Sequence, residues 1–159
     1  VESDPRAAGV FDALVDELCR SGFEQTGAAL RRTTHRPELP PHLRAAGDKL
    51  RVVLAAKPLE PPSRKELAAD PAAHQALRFL IQTGEAVEVG PELVLLAESF
   101  ARARESVRAF LRAHTSATVS ELRQALATNR RVIVPLLEHL DRTGVTLRQG
   151  DQRTLREPR

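Results

Sequence analysis

The 159-residue chain has no methionine, tryptophan or tyrosine, only five phenylalanines and a single cysteine. One thiol excludes an internal disulfide and leaves no thiolate cluster for zinc; the setting of Cys19 in LVDELCRSG predicts a helical cysteine buried in a reducing compartment. No apolar run approaches the roughly 18 residues that a membrane-spanning helix needs, so a soluble, cytoplasmic protein without membrane contact is expected. The opening VESDPR is charged and lacks the basic-then-apolar order of a signal segment. Together with the initial Val and the missing Met, it predicts a piece of a longer protein.

Motifs for catalysis are missing as well. There is no phosphate-binding GxxxxGKS/T, no HExxH and no GxSxG. His35, His42, His74, His114 and His139 stand singly, without a partnering cysteine or a repeated ligand spacing. The sequence therefore predicts no catalytic residue, no metal site and no cofactor. With 42% hydrophobic and 28% charged residues the chain is globular, and a binding function remains.

What is present is a repeat. The pattern Leu-x-x-Ser/Thr-Gly occurs as LCRSG ending at Gly22, LIQTG ending at Gly84 and LDRTG ending at Gly144, about 60 residues apart. Each is followed by a short strand-like run, another glycine (Gly27, Gly90, Gly150) and a second run, so each reads as a helix, a glycine stop and a hairpin.

The last unit is the most complete. Phe100, Ala103, Val107, Phe110 and Leu111 recur at helical spacing, turning Arg104, Arg108 and Arg112 away from the core. Thr118 and Glu121 form a capping-box pattern before a short helix carrying Val119, Leu122 and Leu126. Thr128 or Asn129 can cap a third helix with Val132, Ile133, Leu136, Leu137 and Leu140 on its inner face and Gly144 at its end. Pro135 lies inside that helix and is expected to kink it. Strand alternation places Val145, Leu147 and Leu155 toward the core and Thr146 and Arg148 outward, with Gln149-Gly150-Asp151 as the turn. His139 is expected on the outer face, and Glu138 and Asp141 beside Arg142 or Arg131.

Three helices and a β hairpin make a winged helix, a helix-turn-helix variant. The middle unit fits the same plan through PPHLRAAGDKLRVVLAAKP, SRKELAAD and PAAHQALRFLIQTG, with Pro71 at the favourable first position of its third helix. The predicted fold is mainly α with small β wings: a partial winged helix over 1–36, containing only a third helix and wing, then winged helices over 37–98 and 99–159. Short connectors are expected near Arg36 to Pro41 and near Glu98.

The charge is uneven. Residues 1–35 carry a net −2, residues 36–98 a net −1 and residues 99–159 a net +6. Only Lys49, Lys57 and Lys65 of the 24 basic residues are lysine, and arginine is the side chain whose planar fork fits phosphates and guanine edges. The last unit is thus a candidate for a polyanion, competing with the plainer reading of arginines that solvate a helical face. The expected site comprises Arg123, Thr128, Asn129, Arg130 and Arg131 around the start of the third helix, and Arg148 and Arg153 on the wing. Few aromatics argue against stacking platforms for unpaired bases and favour a folded RNA or a duplex.

The segment VSELRQALATNRRVIVPLLEHLDRTGVTLRQGDQRTL resembles the final winged-helix domain of bacterial selenocysteine-specific elongation factors. The likeness lies in the basic pair Arg130-Arg131, the helix end LLEHLDRTG with Glu138, Asp141 and Gly144, and the wing Thr146-x-Arg148 with Gly150-Asp151. The family often has Lys as the second of the pair, an aromatic near position 139 and a second basic residue beside the wing arginine; here these are Arg131, His139 and Leu147. The resemblance implies a monomeric domain that holds the selenocysteine insertion (SECIS) hairpin of a messenger RNA. It would serve a factor whose GTP-binding region lies elsewhere and which brings selenocysteinyl-tRNA to the ribosome at UGA. Two other readings remain at this stage. A DNA-binding transcription regulator would prefer duplex DNA, and a winged-helix protein scaffold would ignore nucleic acids altogether.

Overall fold

A computed structural model describes residues 38–156 together with Glu17, Arg20, Ser21, Phe23–Thr26 and Ala29–Arg32. The chain divides into two compact units, Val1–Glu38 and Leu39–Arg159. In the first, β1 (Phe23–Thr26) and β2 (Ala29–Arg32) form an antiparallel hairpin that pairs Phe23 with Arg32 and Thr26 with Ala29. The reading of Cys19, the glycines Gly22 and Gly27, and His35 fall outside the described residues.

The second unit contains two winged helices. In the first of them, a 3-10 turn at Pro41–Leu43 leads into α1 (Arg44–Ala56), followed by α2 (Arg64–Leu67), α3 (Pro71–Gln82) and the hairpin β3 (Ala86–Gly90) and β4 (Leu93–Leu96). Each short helix has a sequence-encoded start. Ser63 and Glu66 close a reciprocal capping box on α2, and Asp70 caps α3 by accepting from the Ala73 amide at 2.8 Å, with Pro71 at the first position. Leu43, Leu50, Leu54, Leu67, Ala76, Leu77 and Leu80 form the core beneath these helices.

In the last winged helix, α4 (Ala97–His114), β5 (Ser116–Thr118), α5 (Val119–Ala125) and α6 (Arg130–Arg142) precede β6 (Thr146–Gln149) and β7 (Gln152–Leu155). β5 completes a three-stranded antiparallel sheet in the order β5-β7-β6. Thr118 and Glu121 form the expected capping box. Asn129 caps α6 by accepting from the Val132 amide at 3.1 Å. At the other end of α6, Gly144 sits at φ 74° and the Val145 amide reaches back to the Leu140 carbonyl at 2.9 Å, closing a Schellman-type stop. Val132, Ile133, Leu136, Leu137 and Leu140 are fully buried, and each such side chain contributes about 1.5–3 kcal/mol of burial.

Several expectations are corrected. No connector separates the two winged helices, because α4 starts at Ala97, immediately after β4. Two wing residues exchange places: Thr146 is buried and Leu147 is 46% exposed, while Val145 and Leu155 pack against the core and Arg148 is exposed as expected. Val145 belongs to the helix stop rather than to the strand, so alternation starts one residue later. Thr146 turns inward because its hydroxyl donates to Asp141 Oδ1 at 2.5 Å. Asp141 does not pair with Arg142 or Arg131; its other oxygen accepts from Arg153 Nε at 3.0 Å.

The two winged helices share a core through the middle hairpin. Ala86 and Val94 face the core of their own helices, while Val89, Leu93 and Leu95 join that of the last winged helix. Both faces of β3–β4 are therefore covered, and this wing is mortar rather than a free arm. Gly90 passes so close to α6 that a Cβ built on it would lie 2.9 Å from Pro135 Cβ. Arg142 Nη2 donates to the Val89 carbonyl at 3.3 Å.

His139 occupies the same seam instead of an outer face, half-buried and edge-on to Phe100 at 5.2 Å between centroids. Burial, and then the Arg142 charge, hold its pKa below the ordinary histidine value, against a hydrogen bond involving the Val89 backbone. The unfolded chain titrates this group near pH 6.5 and the folded chain below that. Above about pH 6.5 both states are neutral here; as pH falls through that value the unfolded state takes up the proton first, and stability drops until the lower folded pKa is passed. Thermal melts across this range should show a smaller acid loss for His139→Gln than for the unsubstituted chain. Equal losses would assign the acid sensitivity to other groups.

Candidate nucleic-acid interface

The start of α6, the start of α5 and the wing turn surround an open depression of about 570 Å³ lined by Thr118, Val119, Ser120, Arg123, Asn129, Arg130 and Asp151, with Thr128 at its wall. Its local architecture follows from the sequence: the Thr118 cap and the Asn129 cap start two helices beside one another, so the amide-rich end of α6 faces this opening. Arg130, the first residue of α6, is exposed, and Arg123 on α5 is half-buried. On the wing, Arg148 is exposed and its Nε donates to the Gly150 carbonyl at 3.0 Å, which steadies the guanidinium at the turn.

Among the described residues, Arg123, Arg130 and Arg148 have no carboxylate partner, whereas Arg102 pairs with Glu98, and Arg108 and Arg112 pair with Glu105. Three of the four α4 arginines are thus paired, while Arg104 on that helix and Arg156 after the wing, both exposed, lack a carboxylate partner among the described residues, as do the cations at the depression and the wing tip. No aromatic platform accompanies them. Phe100 and Phe110 pack against the core of the last winged helix and Phe79 against that of the middle one.

Of the other expected site residues, Thr128 and Asn129 line the depression but are engaged with the middle winged helix, and Arg153 and Arg131 do not line it. Arg153 is only 4% exposed and is held by Asp141, so it is a core residue and not part of an outer edge. Thr128 is buried and its hydroxyl donates to the Leu59 carbonyl at 2.6 Å. Asn129, besides capping α6, reaches Glu60 Oε1 at 3.3 Å. Arg131 donates through Nη2 to the Pro61 carbonyl. Sequence reasoning missed Ser120 and the place of Asp151 on the depression wall; the capping box and the Gly150 turn bring both there. Among the described residues no group of His, Cys, Asp and Glu could hold a metal ion, and no helix is long and apolar enough to cross a membrane.

With this geometry in place, the comparisons with known proteins bear on the same segment. Residues 109–155 match the family model for the winged helix of elongation factor SelB. The SelB-like segment contains α5, α6, the wing and the whole depression. Among solved structures, the SelB mRNA-binding domain of E. coli, in complex with SECIS RNA, is similar at a TM-score of 0.63 and 21% identity, over 75% of this chain and 100% of that one. A bacterial selenocysteine-specific elongation factor, EF-Sec, is similar at a TM-score of 0.61 and 19% identity, over 93% of this chain and 24% of that one. The chain spans about a quarter of that protein. At these identities the likeness to SelB and EF-Sec is one of fold: tandem winged helices. No curated protein sequence matches the chain.

Proposed function

We propose that the last winged helix binds a structured RNA hairpin of the SECIS kind, as the mRNA-reading part of a selenocysteine-specific elongation factor. The carrying observation is a set of three arginines without carboxylate partners inside the SelB-like segment, Arg123 and Arg130 on the wall of an open depression and Arg148 on the wing whose turn residue Asp151 completes that wall. Their forked cations suit phosphates and base edges, and the end of α6 adds amide dipoles of the same sign. The depression has room for a displaced base, with Asp151 and Arg130 on its wall as acceptor and donor. Among the described residues Phe79, Phe100 and Phe110 all pack against a core, which favours reading of a folded shape over a single strand.

The function is binding rather than catalysis. In the longer factor, GTP would be held outside this chain, and the hairpin would tether selenocysteinyl-tRNA to a ribosome in the cytoplasm. The test is a titration of the chain with the hairpin, the same stem without its loop, and a matched DNA duplex, each across a salt series. The reading expects loop-dependent, salt-sensitive binding. Arg130→Ala or Arg148→Ala should each weaken it about tenfold and reduce the salt slope by about one. Equal binding to stem, hairpin and DNA would make the edge a non-specific polyanion surface; preference for DNA, or no binding, would transfer the site to a DNA regulator or a protein scaffold.

A further inference from the structure

Three consecutive polar contacts join the start of α6 to the segment between α1 and α2. Thr128 Oγ1 donates to the Leu59 carbonyl, Asn129 Nδ2 to Glu60 Oε1, and Arg131 Nη2 to the Pro61 carbonyl. Pro61 and Thr128 are buried and the two contacts they make are part-buried, while Arg131 itself is an exposed residue. Further along α6, the Gly90–Pro135 approach and the Arg142 bond to Val89 fix the same helix to the middle wing. Two separate parts of the middle winged helix thus grip the helix that carries Arg130, one at its first turn and one along its body.

We infer that the middle winged helix is a positioning element of the RNA site, and that Arg131 and Thr128 act through it rather than on the RNA. The inference rests on the proposed hairpin-binding reading. Arg130 and Arg131 are adjacent in sequence and equal in charge, yet Arg130 has no protein partner while Arg131 spends its fork on a carbonyl of the neighbouring fold. Because successive helical residues point about 100° apart, only one of the two can face the depression. Thr128 and Arg131 set the height and rotation of the first turn, and Asn129, bound at once to Val132 and Glu60, connects the helix cap to the same support. A site pre-organised in this way loses less freedom when RNA binds.

The salt dependence separates the two kinds of arginine. A residue on a phosphate releases a counterion, so its removal lowers the slope of log affinity against log salt by roughly 0.9; a residue that only positions lowers affinity at every salt and leaves the slope alone. The experiment compares the full chain with Thr128→Val, Arg131→Gln and Arg130→Gln in hairpin titrations well below their melting temperatures, with circular dichroism confirming that each is folded. Thr128→Val keeps the shape and removes only the hydroxyl, and should weaken binding about fivefold with unchanged slope, the scale of one neutral hydrogen bond. Arg131→Gln should behave like Thr128→Val, and Arg130→Gln should lower the slope. Hairpin binding that Thr128→Val leaves intact, or a slope that falls in Arg131→Gln, would overturn the positioning role while the hairpin reading stands. No binding by the unsubstituted chain would overturn both.

Discussion

Replacing Arg153 with alanine is expected to destabilise the second unit by about 3 kcal/mol, the cost of stranding one partner of a buried ion pair. The guanidinium is nearly enclosed, its Nε lies 3.0 Å from Asp141 Oδ2, and the other carboxylate oxygen accepts the Thr146 hydroxyl at 2.5 Å. Removal of Arg153 leaves the Asp141 carboxylate, whose side chain is only 21% exposed, with a single neutral donor, the Thr146 hydroxyl. Urea denaturation followed by circular dichroism reads the loss. A second comparison isolates the cause: Asp141→Asn with Arg153→Met carries no stranded charge and should recover part of the stability lost in Arg153→Ala. A loss below about 0.5 kcal/mol, the scale of a solvated surface residue, would mean that the pair is not buried in solution. Below its melting temperature the Arg153→Ala chain should keep the salt slope of hairpin binding, because this arginine faces the core.

The contrast between Arg153 and Arg148 shows where sequence reading of the site ran out. Both are wing arginines, and they are direct partners across β6 and β7, so neither composition nor alternation distinguishes them. What distinguishes them is Asp141, which lies on a different element and faces the sheet next to Arg153. Its position was legible, since Asp141 sits in the repeated LDRTG segment, but its partner was not: the helical rule points to a neighbour three or four residues away, and the real partner comes from a strand twelve residues on. The same limit applies to Arg131, whose acceptor is a backbone carbonyl seventy residues earlier. Charge tallies identified the unit that carries the open cations; which cations are open depends on tertiary partners.

Local rules carried most of the fold. The Thr118-x-x-Glu121 box, the Asn129 cap and the left-handed glycines Gly84, Gly144 and Gly150 are backbone events decided within a few residues, and each is where its residues imply. At Thr146 and Leu147 the expected wing phase failed for an equally local reason, because Val145 closes the helix stop before the strand begins. The middle hairpin is more instructive. LVLL over Leu93–Leu96 is a continuous apolar run, the signature of a strand buried on both faces, and that signal was open to reading in advance. It marks β4 as shared between two cores, and so distinguishes a load-sharing wing from one free to touch nucleic acid.

That shared wing gives the second large expected effect: Gly90→Val should destabilise the second unit by about 2 kcal/mol. A Cβ at position 90 would lie 2.9 Å from Pro135 Cβ, closer than real side chains approach, and valine adds two methyl groups beyond it. Relief requires β3 and α6 to separate, which exposes Val89, Leu93 and Leu95, all less than 3% exposed in the intact seam. The effect should therefore exceed that of a local strand defect, and the denaturation curve should broaden as the two winged helices begin to unfold apart. A double-mutant cycle of Gly90→Ala with Pro135→Gly assigns the cause. If the two positions collide, the pair should be more stable than the sum of the single changes predicts, by about 1 kcal/mol, because the ring that blocks the new methyl is gone. Simple additivity would place the strain within the β3 bulge between Glu88 and Gly90 and leave the seam without its closest contact.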